Sequence, residues 1–217
     1  MPSVYSVPAH GSVQYAPMYL PAAFRETRLE VVHGLIQANS FGTLVSQLNG
    51  ELFATHIPFL LDAERGPNGT LRGHIARANP HWQAFSGQES LAMFQGPHAY
   101  ISPAWYVAEE AVPTWNYAVV HAYGAPRVIE DPAAVREVLE ETVNSFDTEG
   151  WSTARVDEDY IARMARAIVA FEMPISRLQG KRKLGQNRPA EDARGAARGL
   201  RALAEQMETA AQGKPGV

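Results

Sequence analysis

The chain has 217 residues, 46% of them hydrophobic and 19% charged, and a net charge of −4; it can bury a proper core and lacks the positive excess of a nucleic-acid or membrane-surface binder. It contains no cysteine, which removes disulfides, thiolate metal sites, iron–sulfur clusters and cysteine nucleophiles together. No apolar run approaches the roughly 20 residues of a membrane-spanning helix, and the opening MPSVYSVPAHGSVQYAP has neither the basic start nor the apolar centre of a secretory signal, so a cytoplasmic location is expected.

Residues 1–17 are aperiodic and read as a flexible N-terminal extension; one domain is expected from 18 to 217, its C-terminal helical tail included. Leu29, Val32, Leu35 and Ile36 at helical spacing place a helix from Arg28 to Asn39. FGTLVSQL (41–48) and ELFATHIPFLLD (51–62) read as strands around Asn49-Gly50, the strongest short hairpin signal. The turn ERGPNGT leads into a third strand, TLRGHIAR; Asn79-Pro80 ends it, and PHWQAF (80–85) makes a short helical turn. SLAMFQG (90–96) is a fourth strand. Residues 97–113, with Pro97, Pro103 and Pro113, form a long connection of the kind that carries function. TWNYAVVHAYG (114–124) is a fifth strand, extended or flanked by APRVIE (125–130). Asp131-Pro132 opens a helix with Val135, Val138, Leu139, Thr142, Val143 and Phe146 on one face. Asp157 opens another, with Ile161, Met164, Ala165 and Ile168 on its buried side. AFEMPISRLQ (170–179) is a last strand, and Ala190 to Ala211 a C-terminal helix. Six or so strands in adjacent hairpins, without crossover helices, predict a mainly β (α+β) fold: a small antiparallel barrel with peripheral helices.

Planar and hydrogen-bonding side chains crowd LRGHIARANPHW, LAMFQGPHAYISPAWY and VPTWNYAVVHAYG, where a sheet that only had to fold would carry aliphatics. Arg72 and Arg77, with Asn79 and the helix start at 80–82, suit the anionic end of a ligand. A lone strand arginine is more often solvated; Asn79 and the helix start tip the balance toward a phosphate. Pro58, in Thr55-His56-Ile57-Pro58, removes a ladder donor and marks an edge or bulge whose backbone can meet a ligand. Trp105, Tyr106, Trp115 and Tyr117 would each be ordinary core aromatics alone; together they suit the walls of a flat ring. The pattern reads as a flavin mononucleotide site on a β-barrel. A metal is not expected: His56, His74, His98 and His121 lack any ligand spacing. No Walker or dinucleotide glycine pattern occurs, and Ser46, Ser86 and Ser102 have no nucleophile-elbow context. From Lys181 to Val217, eight Lys and Arg stand against four Asp and Glu, and all three lysines (Lys181, Lys183, Lys214) lie there. Such a run is usually a solvated face. Alternation, however, puts Lys181 and Lys183 on one side of an extended segment, aimed at the ligand or a neighbouring subunit, and Arg182 toward solvent. The aromatic connection and the basic tail have no evident burial within one barrel, which also points to a dimer.

MYLPAAF, ATHIPFLLD, LRGHIARANPHW, FQGPHAYISPAWY, VPTWNYAVVHAYG and RLQGKRKLGQNRP, in that order over about Met18 to Leu200, resemble the PaiB-type FMN-binding negative transcriptional regulators, a branch of the FMN-binding split-barrel superfamily. The departure is Gly185, where a KLSQNR pattern has serine. The resemblance implies an antiparallel split β-barrel with peripheral helices and a C-terminal helix, assembled as a homodimer with FMN at the subunit interface. It implies that Thr55, His56, Ile57 and Pro58 line the flavin ring and that His74, Ala76, Arg77, Asn79 and Trp82 hold ribityl and phosphate. Lys181, Lys183, Gln186 and Asn187 would close the site; Gln95 and Trp115 complete the cofactor-binding set, and no catalytic residue is assigned. The family name implies gene repression, yet the chain has no helix-turn-helix with a basic recognition helix and its barrel portion is acidic, so direct DNA binding is not expected. Two further functions suit the same fold. One is a flavin-dependent oxidoreductase acting on a small molecule or a nicotinamide, the cofactor supplying the chemistry. The other is haem binding or degradation, with His98 and His121 available.

Overall fold

The structure, a computed structural model, describes residues 18–85 and 87–212, with side chains to residue 205. The expected extension 1–17 lies outside the described residues. After a two-residue strand, β1 (Arg25–Glu26), helix α1 (Leu29–Ala38) turns Val32, His33 and Ile36 inward. Strands β2 (Phe41–Leu48) and β3 (Glu51–Pro58) pair as a hairpin about Asn49 (φ 53°) and Gly50 (φ 84°), the left-handed pair that a tight turn of this twist needs. β3 stops at Pro58 and does not run to 62. The Phe59 amide turns to the Ser40 carbonyl (2.9 Å) while its ring sinks into the core, so a separate strand β4 (Leu60–Asp62) follows.

The remaining elements are β5 (Thr70–Ala76), β6 (Ser90–Ile101), β7 (Thr114–Gly124), β8 (Arg127–Val128), α2 (Pro132–Phe146), α3 (Glu158–Arg166), β9 (Ile168–Lys183) and α4 (Ala190–Gln212). The expected caps are in place, Asp131 accepting from Ala134 (2.9 Å) and Asp157 from Asp159 (2.9 Å), and Asn79, read only as a strand end and phosphate ligand, also caps its turn by accepting from the His81 amide (3.0 Å). Two strands outrun their apolar stretches. β6 crosses a bulge between Gln95 and His98 and continues to Ile101, so the connection is 102–113. β9 takes Ile168 away from the face of α3 and carries the basic run into the sheet, with Val119 opposite Lys181 and Tyr117 opposite Lys183.

The antiparallel sheet follows the order β3-β2-β6-β7-β9-β5-β4, with β1 and β8 added along β9. It is a split barrel: β3 and β4 end the hydrogen-bonded path and are joined only through Phe59. Inside, Phe59 meets Phe94 and Phe171 edge-on, at 5.2 and 6.2 Å, among Leu44, Leu71, Val120 and Met173. β9 belongs to both halves. Its residues 168–174 pair with β5 and 175–183 with β7, and the change of partner falls at Pro174. The backbones are closest there: a Cβ on Gly124 would lie 2.3 Å from the Pro174 carbonyl oxygen. Among the described residues no helix is long and apolar enough to cross a membrane.

The aromatic connection and the basic tail bury each other within one chain, against the expectation from composition. A Cβ on Gly195 would sit 2.0 Å from the Trp105 carbonyl oxygen, and one on Gly199 2.3 Å from the indole, so α4 lies flat on Trp105. Asp192, buried, accepts the amides of Val107 (2.9 Å) and Ala108 (3.2 Å). The Arg188 guanidinium lies 4.0 Å over the Tyr106 ring.

Gly124→Ala should therefore lower stability by about 1–3 kcal/mol, the range for overpacking a filled interior. In helix α1, a Cβ on Gly34 would meet nothing within 4 Å, and Gly34→Ala should raise stability by about 0.5–1 kcal/mol. Urea unfolding midpoints of the two variants, shifted in opposite directions, test the close approach at the sheet corner.

Candidate functional site

β3 pairs only with β2 and leaves one backbone edge free, as Pro58 had indicated. That edge meets the turn after β5 through a chain of polar groups. Asn79 Nδ2 donates to Thr55 Oγ1 (3.1 Å), which lies 2.7 Å from His81 Nδ1. His81 Nε2 lies 2.8 Å from Ser46 Oγ, and Ser46 Oγ lies 2.7 Å from Ser90 Oγ. His81 is fully buried between Phe53 and Phe85. A neutral imidazole donates at one nitrogen and accepts at the other, and both have partners here. Burial holds its pKa below the usual 6.5. His81, Ser46 and Ser90 are absent from the site expected from sequence; the only signal was His81 two places after its cap, Asn79.

The rest of the first expected group surrounds this chain of hydrogen bonds. Ile57 packs in the core, Pro58 is half-buried and His56 is exposed. On β5, Ala76 is exposed and His74 half-buried, without a hydrogen-bond partner among the described residues, its pKa lowered by burial. Trp82 Nε1 donates to the Arg77 carbonyl (3.1 Å). Arg77 gives Nε to the Arg166 carbonyl (2.8 Å) and Nη2 to that of Ile168 (2.7 Å), bracing the end of α3 and leaving Nη1. Arg72, expected beside it on an anion, faces α2, where it donates to Glu141 and lies 3.7 Å from Glu137.

The second group sits elsewhere. Lys181, buried, donates to the Tyr19 carbonyl (2.8 Å) and lies over the Tyr19 and Tyr117 rings, at 5.2 and 5.3 Å. Lys183 donates to Thr114 Oγ1 (2.5 Å) and the Trp115 carbonyl (2.6 Å); desolvation lowers its pKa, with Lys181 and Arg188 adding to the effect. Arg182 lies 3.3 Å from Glu26 and does not simply point to solvent. The Glu26 carboxyl is held at about 2, first by hydrogen bonds from Arg28 and then by Arg182. Gln186 folds back, accepting from Leu184 N (2.7 Å) and donating to the Arg182 carbonyl (2.5 Å). Gly185 in that turn has φ 86°, which a serine would adopt only under strain. Asn187 is exposed. Exposed Gln95 lies 3.3 Å from His98, whose ring packs 6.2 Å from Trp115, with Tyr100 on the other side at 6.2 Å. The four aromatics expected to wall one ring are thus divided: Trp105 and Tyr106 under α4, Tyr117 under Lys181, and Trp115 on the surface. His56, His74, His98 and His121 lie on four different strands, β3, β5, β6 and β7.

The Arg77 turn and the lysines hang on opposite ends of β9, while the β3 edge at His56 registers through Thr43, Met93 and His121 with Gln179, on the lysine side. Ala76 pairs with Ile168 at one end and Tyr117 with Lys183 at the other, a strand path of about 50 Å at 3.3 Å per residue. Within one chain the Arg77 turn is thus set apart, along β9, from the Lys183 and Trp115 end.

The family model described as "Putative FMN-binding domain" matches residues 18–177. The chain is 37% identical over 180 residues to "Protease synthase and sporulation protein PAI 2" of Bacillus subtilis, covering 81% of this chain and 85% of that one. Among solved structures, the flavocytochrome Anf3 from Azotobacter vinelandii superposes with a TM-score of 0.61 at 19% identity, over 80% of this chain and 75% of that one. The FAD and heme binding protein from Mycobacterium smegmatis superposes with a TM-score of 0.58 at 17% identity, over 81% and 80%. At these identities the two structures carry the fold alone.

The buried imidazoles give the chain an acid-sensitive side. His74, His81 and His121 all have pKa values lowered by burial, His121 further by Lys181. Below the usual 6.5 the unfolded chain takes up protons that the folded rings refuse, so stability is full above that value and falls as pH drops. The thermal midpoint should be flat above about pH 7 and decline steadily below about 6.5. A midpoint that rises on acidification over that window would overturn the neutral assignment.

Proposed function

The chain belongs to the FMN-binding split-barrel family, with FMN as its cofactor, and we propose that it is a PaiB-like regulator whose flavin is held jointly by two copies of the chain. The observation that carries this reading is the separation along β9 of the Arg77 turn from the Lys183 and Trp115 end. A C2 pair of chains repeats each surface twice, so the seam half of one copy can meet the far half of the other at two equivalent places.

The residues suit the group. The free β3 edge at Thr55, His56, Ile57 and Pro58 offers backbone groups to a flavin ring, and His74 adds an imidazole with no hydrogen-bond partner among the described residues. Arg77 Nη1, with Asn79, Ala76 and Trp82 about the helical turn, suits ribityl and phosphate. From the second copy, Trp115 and Gln95 would cover the ring, and Lys183, Gln186 and Asn187, with buried Lys181 behind them, would border the phosphate side. Bound FMN would supply one- and two-electron chemistry. Regulation of protease synthesis or sporulation belongs to the Bacillus subtilis relative by name; here we propose a regulatory role exerted in the cytoplasm without reading DNA bases, since residues 1–180 carry eleven Lys and Arg against nineteen Asp and Glu.

Subunit mixing tests the shared site. Arg77→Ala breaks the seam half and Trp115→Ala the far half, and each variant alone should lose most of its FMN. Mixed and re-equilibrated, the pair should recover about a quarter of the FMN sites, because half of the dimers are mixed and each of those has one intact site. No recovery with stable mixed dimers would mean that each site is built within one chain. Adding NAD(P)H to the flavin-loaded protein reports an oxidoreductase by loss of the flavin absorbance, and the visible spectrum reports any haem.

A further inference from the structure

A cavity of about 820 Å³ lies between α2, α3 and the start of β9, within the range of small-molecule sites. α3 spans it, fixed at its two ends. At the first turn Arg136 of α2 ion-pairs with Glu158; at the last, Arg77 holds the carbonyls of Arg166 and Ile168. Between these grips Ile161 is the one buried residue of α3, and Ile161 and Ala165 border the cavity opposite Val135, Leu139, Ile168 and Ala170. The cavity opens to solvent between exposed charged side chains, Arg136 and Glu158 among them, and its apolar walls gain dispersion contacts when a ligand covers them.

The lining restricts the occupant. Among the described residues no Ser, Thr, Asn, Gln, Tyr or His lines the cavity. The ribityl hydroxyls and pyrimidine edge of a flavin would go unpaired there. The polar side chains that remain are charged, apart from the Trp82 indole, which is already hydrogen-bonded to Arg77. Arg136 is bound to Glu140 and Glu158, and Arg77 to two carbonyls. Arg166, exposed and also on the lining, has no side-chain ion pair or hydrogen bond among the described residues. Glu130 lies on the same lining and opposes a second negative charge.

We propose that this cavity is a second binding site, adjoining the proposed flavin site and sharing Arg77 and Trp82 on its border, for a small amphipathic monoanion: an aliphatic or aromatic carboxylate whose apolar body fills the space beneath α3 and whose carboxylate pairs with Arg166. The proposal does not depend on the flavin's being shared between two chains.

Calorimetric titration of the full-length protein, as purified with its flavin, tests it with octanoate and 1-octanol as probes. Octanoate should bind saturably, one per chain. Arg166→Gln, on an exposed side chain, should weaken octanoate about tenfold, the loss of one charge-assisted contact, and leave octanol unchanged. Ala165→Phe should abolish both by filling the cavity, with flavin content retained. Absence of saturable octanoate binding, equal octanoate affinity in Arg166→Gln, or release of FMN by octanoate would each overturn the proposal, the last by assigning the cavity to the cofactor. Should Ala165→Phe fail to fold, Arg166→Gln decides alone. If the protein proves to hold no flavin, the same titration still reports on the cavity.

Discussion

Pro174 has no amide hydrogen, and the sheet turns on that fact. Along one edge of β9 the pairing passes from β8 at Phe171 and Glu172 to β7 from Ile175, and Pro174, with no donor, stands in the gap between them. The other edge continues past it, the Ile175 amide donating to the Gly69 carbonyl beside β5 at 3.0 Å. The close approach at Gly124 forces the neighbouring strand to have no side chain there. From this corner one arm of β9 runs to α3 and the Arg77 brace, and the other to the lysines and the Trp115 surface.

The open barrel leaves an edge, and an unprotected edge is a template for unwanted pairing. Here β3 is fastened from the side. Thr55 is tied to Asn79 and His81, and His81 in turn to β2 and β6 through Ser46 and Ser90. Each buried hydroxyl or ring nitrogen left unpaired would cost about 1–3 kcal/mol, so the chain of bonds strongly favours one register of turn against edge. It is satisfied with a neutral ring, because a charged one would donate at both nitrogens inside an aromatic pocket. A ligand laid on the free edge would meet a strand whose position is already set.

Local chemistry was legible in the sequence. Asn49-Gly50 gave the hairpin, Asp131 and Asp157 the caps, and Pro58 the edge. Boundaries set by tertiary pairing were not. The lysines of β9 interrupt its apolar run, yet β7 pairs with them because their side chains find carbonyls and aromatic rings nearby. Trp105 read as a ligand-facing aromatic, since Gly195 and Gly199 look like weak points in a helix until their spacing proves to be the flat side on which the indole rests. Arg72 and Arg77 are indistinguishable as letters; only the placement of α2 turns one toward Glu137 and Glu141 and leaves the other at the seam. The cavity was invisible because its walls come from α2, α3 and β9, each of which reads as ordinary packing.

The far half-set also shows which of its members are free to meet a partner. Lys181 is buried on the Tyr19 carbonyl, and Lys183 is held by Thr114 and the Trp115 backbone. Freeing either to grip a phosphate would break bonds already made in a partly desolvated place, where the low pKa of Lys183 marks the cost of its charge. Trp115 and Tyr100, 54% and 47% exposed, have no such ties. Rigid aromatic surface loses little side-chain entropy on being covered and brings a large apolar area. Contact across a subunit boundary at this end would therefore draw its energy from the rings and its orientation from the lysines, which act by fixing the β7 backbone that carries Trp115. The basic run that drew attention in the sequence is then a support for the surface beside it, its positive field felt by an anion without direct contact.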